Sequence, residues 1–444
     1  MGTPTAPTAD LTPTPTPAAD GHPGWLVRRQ PHPDAPTLAD LVDDVGQFRG
    51  DDVYRRPAVS SGAGRDPGRF ADVDALWSDL LGRSARRPTF RLVTEGTTTS
   101  PGEVTRRARI GNRDLTDLAA PNRVIDGYRA GATVVLQGLH LTDPGLARFA
   151  NNLALELDQP VQLNAYLSPA SARGLDVHFD YHDVFVVQLD GAKRWRVWAP
   201  TDRTRDPIGG RHAIPRPTLD EVGEPVLDLV LEPGDVLYLP RGHPHVAETT
   251  DRESAHLTVG VLAVTWHRVV RRAIDDAVDA GRLRTSIPLS SLDPSAPGPT
   301  APNVDLGSGP TLDLDLDLGS VPVRRWIARE IWSRQAATRL RPRTPPDPTA
   351  ADGPLFFAPG PLITLSHSAS GARSLLFVGD RTITLPVEAH GFLASLLGAP
   401  EPFRRAEIAG LDDDSSRVVV TRLLDEGILV PLADARPERP DHDP

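Results

Sequence analysis

Between Ala132 and Val264 the apolar residues come in short runs, each closed by glycine, proline or aspartate. That rhythm admits few folds. Val161-Gln162-Leu163-Asn164-Ala165-Tyr166-Leu167 alternates strictly, so a strand there puts Gln162, Asn164 and Tyr166 on one face. Val184 to Leu189 and Lys193 to Trp198 read as two further strands, joined as a hairpin through Asp190-Gly191. Val226 to Leu231 and Val236 to Leu239 flank the turn Glu232-Pro233-Gly234-Asp235, and Ala255 to Val264 supplies another strand. Only Pro144 to Leu157 breaks the series, as an amphipathic helix. Many short strands punctuated this way predict a mainly β core, a sandwich or a barrel.

The flanks read differently. Residues 1–22 are mostly Thr, Pro, Ala and Asp, a tract too polar to offset its own ordering entropy, so a disordered tail is expected. It lacks the apolar centre of a signal peptide, and no later run reaches membrane-spanning length, which predicts a soluble, cytoplasmic chain. From Trp266 the pattern turns helical to Leu283. A low-complexity linker follows over about 286–320, and a basic helix over Val323 to Leu340. The end holds a hairpin around Gly379-Asp380, helices at Val387 to Leu397 and Asp413 to Glu426, and a closing strand after Gly427. The expected organisation is a β-rich domain at 23–265, a helical region at 266–345 and a winged-helix-like domain at 350–435.

Composition narrows the chemistry. The chain has no cysteine, so disulfides, thiolate catalysis and cysteine-bound zinc are excluded, and any metal must sit on His, Asp or Glu. A net charge of -11 argues against nonspecific duplex binding, and no direct DNA binding is expected. The single lysine, Lys193, stands in a chain whose other basic residues are all arginine. A compact ammonium suits some tasks better than a planar guanidinium does.

His178-Phe179-Asp180 places a histidine and a carboxylate on one side of an extended chain, able to grip one metal together. Pro233-Gly234-Asp235 and Pro240-Arg241-Gly242 then return the chain to His245. Two histidines and one carboxylate leave open positions, as in non-haem Fe(II) oxygenases, although three ligands also suit zinc. The carboxylate, the missing cysteines and the nearby cation favour iron. His182 and His243 share parity with the pair and read as supporting or rim residues. His256 and Thr258 alternate on the strand after His245 and face the same cavity by geometry, although His256 also reads as a hydrogen-bonded core histidine. Trp195, Trp198 and Tyr238 read as core aromatics.

His178-Phe179-Asp180, the segment Gln188 to Trp195, and Gly223-Glu224-Pro225 through Pro240-Arg241-Gly242 to His245 together resemble the JmjC/cupin family of ribosomal oxygenases. The resemblance covers Ala132 to Val264 closely. It implies a double-stranded β-helix followed by a helical dimerisation region and a winged-helix-like end. It also implies Fe(II), 2-oxoglutarate and molecular oxygen as cofactors, with His178, Asp180 and His245 as iron ligands. Lys193 would pair with the far carboxylate of 2-oxoglutarate, and Asn164 and Tyr166 would line its pocket, which Thr258 joins on strand geometry alone. The implied activity is hydroxylation of a protein side chain, His or Arg of a ribosomal protein, by a homodimer. A peptide, natural-product or methyl-lysine oxygenase and a non-catalytic cupin scaffold stay open beside it. A straight strand from Asp180 to Gln188 would carry Lys193 about 26 Å from the metal, so the chain must bend before Val184.

Overall fold

The computed structural model describes residues 26–279 and 348–432, apart from 63, 83, 84, 210–212, 361, 369, 370 and 380, together with 304–305 and 311–312. The tail at 1–22, the helix expected over Val323 to Leu340 and most of the linker lie outside the described residues. Within that linker, Val304–Asp305 and Thr311–Leu312 pair as a short ladder.

In chain order the first strands are β1 (Leu26–Arg28), β2 (Ala58–Ser60), β3 (Phe90–Thr94), β4 (Thr97–Thr98), β5 (Thr105–Ile110) and β6 (Arg113–Ala119). The barrel strands continue as β7 (Thr133–Leu136), β8 (Val161–Ser168), β9 (Asp183–Val197), β10 (Leu227–Leu231), β11 (Val236–Leu239) and β12 (His245–Val261). Nine of these make one sheet in the order β2-β11-β9-β12-β8-β7-β3-β4, with β10 added along the second half of β9. β8 shows why it forms: Val161, Leu163, Ala165 and Leu167 are buried while Gln162, Asn164 and Tyr166 are half-buried, the alternation a one-sided strand requires. The helix Pro144–Leu157 starts where the Asp143 carboxylate accepts the Leu146 N–H at 2.7 Å, and it buries Phe149 and Leu153 in the same core as Leu163 and Phe185.

One expectation is corrected here. Asp190-Gly191 is not a hairpin turn. β9 is a single 15-residue strand, and both its halves pair antiparallel with β12, from Asp183 opposite Val261 to Val197 opposite His245. The register slips twice, between Ala255 and His256 and between Thr249 and Ser254, and Gly191 takes φ +61° at the kink. A Cβ at Gly191 would stand 1.8 Å from the Glu253 carbonyl oxygen, so only glycine lets the two strands approach there. The Asp-Gly pair thus marks a bulge that bends a long strand rather than a turn that ends one.

Past the ladder of β13 (Val304–Asp305) and β14 (Thr311–Leu312), the C-terminal strands are β15 (Pro354–Phe357), β16 (Ile363–His367), β17 (Arg373–Val378), β18 (Arg381–Pro386), β19 (Phe403–Arg404) and β20 (Leu429–Pro431). The hairpin expected near Gly379 is β17–β18, and the helices His390–Leu397 and Asp413–Asp425 stand where the sequence pattern puts them. β1 pairs with β16, so a strand from the far N-terminus completes the sheet β1-β16-β17-β18. The sequence-drawn division into 23–265 and 350–435 therefore separates β1 from the sheet it completes, because a three-residue strand carries no periodicity to assign it.

Candidate functional site

His178, Asp180 and His245 converge. One ligand atom from each lies within 4.8 Å of the others, the one such His/Asp/Glu cluster among the described residues. Backbone pairing brings them together: His178 N–H donates to His245 O at 3.1 Å, and His245 N–H donates to His178 O at 2.7 Å. Gly242 N–H donates to Asp180 O at 2.9 Å, tying the Pro-Arg-Gly segment to the carboxylate's own backbone.

Both rings are oriented by the same device. His178 Nδ1 donates to Asp176 O at 2.8 Å, and His245 Nδ1 donates to His243 O at 2.9 Å. A carbonyl can only accept, so each imidazole carries its proton on Nδ1 and presents the Nε2 lone pair inward. His245 Nε2 lies 3.7 Å from an Asp180 oxygen. Burial, reinforced by His245, pushes His178 down to about 4, so it stays neutral at physiological pH. Burial would raise the Asp180 carboxyl, but His245, His182 and His178 outweigh it and hold it below the usual carboxylate range. Two imidazoles with Nε2 turned inward and a carboxylate are a donor set that fits a divalent metal.

The triad lines a cavity of about 570 Å³, shared with Val184, Val186, Lys193, Trp195, Tyr166, His256 and Thr258. Inward residues are even-numbered before Gly191 and odd-numbered after it, because the bulge flips the side each residue faces. The chain bends at Tyr181-His182, before Val184 as expected, and the bulge at Gly191 then turns Lys193 to the cavity side. Lys193 is 3% exposed; its Nζ donates to Ser168 Oγ at 3.0 Å, and that hydroxyl meets Thr133 Oγ1 at 3.0 Å. With only hydroxyls near it, burial lowers Lys193 to about 7.

The remaining expected residues divide. Tyr166 lines the cavity, with burial raising its phenol to about 12. Thr258 also lines it and donates to Asn164 O at 3.3 Å. Asn164 itself is not among the lining residues: its side-chain oxygen accepts the Gly138 N–H at 3.0 Å. His256, 2% exposed, stacks on Tyr166 with centroids 4.8 Å apart and meets the edge of Trp195 at 5.6 Å. Its Nδ1 is buried without a hydrogen-bond partner, which corrects the hydrogen-bonded core reading. Trp195 is buried in the core with Val197 and Leu231 and also lines the cavity, Trp198 is buried and bonds Gly223 O, and Tyr238 packs against Phe48 and Phe185. His182 contacts Gln162 at 3.3 Å, and His243 supports the triad only through its carbonyl. Ser168 and Thr133, which hold Lys193, carry no motif in the sequence.

Two histidines and a carboxylate on the wall of a bent-strand β-barrel define a JmjC/cupin domain. Residues 142–269 match the family described as JmjC domain. Ribosomal oxygenase 1 of Danio rerio is 36% identical over 39% of this chain and 33% of its own length. Ribosomal oxygenase 2 of Rattus norvegicus is 39% identical over 33% of this chain and 32% of its own. The bifunctional lysine-specific demethylase and histidyl-hydroxylase of Dictyostelium discoideum is 33% identical over 36% and 31%. The chain thus spans about a third of the length of these curated relatives. Among solved structures, the Escherichia coli ribosomal oxygenase YcfD is similar in fold, with a TM-score of 0.51 at 18% identity over 88% of this chain and 98% of that one. Residues 142–269 thus match the JmjC domain, and over that region the chain is similar to ribosomal oxygenases.

Proposed function

We propose that the chain is an Fe(II)- and 2-oxoglutarate-dependent oxygenase that hydroxylates a histidine side chain of a ribosomal protein. The observation that carries this reading is one cavity holding both a metal-binding triad and a buried ammonium. His178, Asp180 and His245 would hold the iron, with Nε2 fixed inward by the two carbonyls. Lys193 would neutralise the far carboxylate of 2-oxoglutarate, where a charge-assisted bond shielded from water is strong. Tyr166 and Thr258 line the space beside it. Iron and 2-oxoglutarate, once bound, supply the oxygen-activating chemistry, and the protein supplies position and dryness.

Charge favours histidine over arginine. Among the described residues Asp180 is the only acid lining the cavity, and it belongs to the triad. A guanidinium or a methylated ammonium buried at that wall would find no free carboxylate to compensate it, whereas a neutral imidazole escapes that cost. The relatives' names supply the ribosomal substrate class. The exposed Trp266 on the helix Trp266–Asp279 supports a homodimer, and the helices and β17–β18 hairpin after β15 support the winged-helix-like assignment.

The test is mass spectrometry of ribosomal proteins from cells with and without the gene. A gain of one oxygen on one histidine, lost with Asp180→Ala, is expected. Oxygen on an arginine, or loss of methyl groups from lysine, would overturn the charge argument. No change, together with no absorption band from anaerobic Fe(II) and 2-oxoglutarate, would favour the non-catalytic scaffold.

A further inference from the structure

The whole-chain charge of -11 hides a local excess of the opposite sign. Between residues 83 and 129 ten arginines face five acids, a net +5. The structure gathers several of them on one feature. β5 and β6 form a two-stranded ribbon that joins neither larger sheet, and Arg106, Arg107, Arg109 and Arg113 on it are all exposed. At its base, Arg86 bridges to Leu118, and Arg123 donates to the carbonyls of Gly102 and Thr105.

The ribbon carries positive charge on both faces. Arg109 stands opposite Asp114 and Ile110 opposite Arg113, and consecutive cross-strand pairs point to opposite sides. Arg107 reaches Asp114 at 3.1 Å, which puts Arg107 with Arg109 and leaves Arg113 on the other face. Asp114 and Asp117 each meet one arginine, in exposed pairs that leave most guanidinium N–H groups free. Arg113 makes no ion pair among the described residues.

We infer that this ribbon is a cationic arm that binds the phosphodiester backbone of RNA. Guanidinium forks match phosphate oxygens two at a time. Charge on both faces fits a ribbon lying between two rows of phosphates, whereas an acidic peptide docked along one strand edge would use one side. The ribbon bears no aromatic side chain, so it has no platform for stacking bases, and the binding is independent of sequence. Arg86, which bridges to Leu118 at the ribbon's base, stands seven residues before cavity-lining Val93, and β3 carries the chain from one toward the other. The choice of RNA rests on the ribosomal reading above, in which the target protein is embedded in RNA.

The test is fluorescence anisotropy of a labelled RNA stem-loop of about 16 base pairs with the full chain. Four phosphate contacts predict that affinity falls roughly 150-fold between about 50 and 200 mM salt. The combined variant Arg106→Gln, Arg107→Gln, Arg109→Gln and Arg113→Gln should bind at least tenfold more weakly at the lower salt, with a shallower salt dependence. Should that variant fail to fold, Arg109→Gln with Arg113→Gln, at the solvent-open tip, should still lose several-fold. Equal binding by wild type and variant, or no binding by wild type, overturns the arm. A polyglutamate peptide that binds in RNA's place, or a matched DNA duplex bound as tightly, overturns the assignment to RNA. Turnover of 2-oxoglutarate, measured on the same samples, separates this failure from failure of the oxygenase reading, since none of these arginines lines the cavity.

Discussion

Lys193 is a buried cation without a counter-ion. Its neighbours Ser168 and Thr133 stabilise it as dipoles only, and burial brings it down to about 7. Its charge is therefore conditional on pH and on what enters the cavity. Below pH 7 the ammonium is mostly in place; above it the free protein loses the proton, and an anionic cosubstrate must restore it on binding. Affinity for 2-oxoglutarate should thus fall about tenfold per pH unit above 7 until the bound state also titrates. Isothermal titration across pH 6 to 9 checks this, as does proton uptake on binding in buffers of different ionisation heat. Lys193→Arg should flatten the dependence because a guanidinium keeps its proton, and Lys193→Ala should weaken binding at every pH. A flat profile for the wild type would show that Lys193 has another partner. At this scale the triad and Lys193 were legible because their chemistry is rare in the chain. Asp176 was not, since it acts through a carbonyl, which every residue has, and parity marked His243 as supporting without showing that its carbonyl does the work. Asn164 shares a strand face with Tyr166, yet Gly138 claims its side chain, a contact that no periodicity reveals.

At the scale of elements, two long strands fold the cavity by bending together. Period-two alternation located β8, and the turn Glu232-Pro233-Gly234-Asp235 located β11, almost to the residue, but the pattern broke at Asp190-Gly191 because a bulge flips the inward face, and a flip looks like an end. The tight approach of Gly191 to the Glu253 carbonyl is what keeps Lys193 and Trp195 facing His245. Gly191→Ala should accordingly cost roughly 2–4 kcal/mol, from positive-φ strain plus contact with backbone that cannot move aside. Gly111→Ala is the control. Gly111 has φ +57° at the ribbon's turn but nothing within 4 Å of its would-be Cβ, so only the backbone term of about 1 kcal/mol should remain. Urea unfolding measures both. If the two substitutions cost the same, close strand approach is not what holds the kink.

At the scale of the whole molecule, the segment after β1 staples the C-terminal sheet to the barrel. Arg28 on β1 is 8% exposed and lies over the Phe357 ring at 4.4 Å. It donates to the carbonyls of Leu397 and Ala399 and pairs with Glu401 at 2.8 Å. Four residues on, His32 N–H donates to Asn152 on the helix Pro144–Leu157, and Leu38 is fully buried in the barrel core. Nothing in the sequence announces this link: three residues make the strand, and its partner β16 lies more than three hundred positions away. Arg28→Ala leaves Glu401 and two carbonyls buried without their partner, a loss of roughly 3–5 kcal/mol. That loss should fall on the C-terminal unit. Amide exchange in Ile363–His367 should quicken strongly in Arg28→Ala while His245–Val261 keeps its protection, because the barrel holds Leu38 independently of β1. Equal loss of protection in both sheets would mean instead that barrel and C-terminal sheet unfold as one cooperative unit, with Arg28 at their joint.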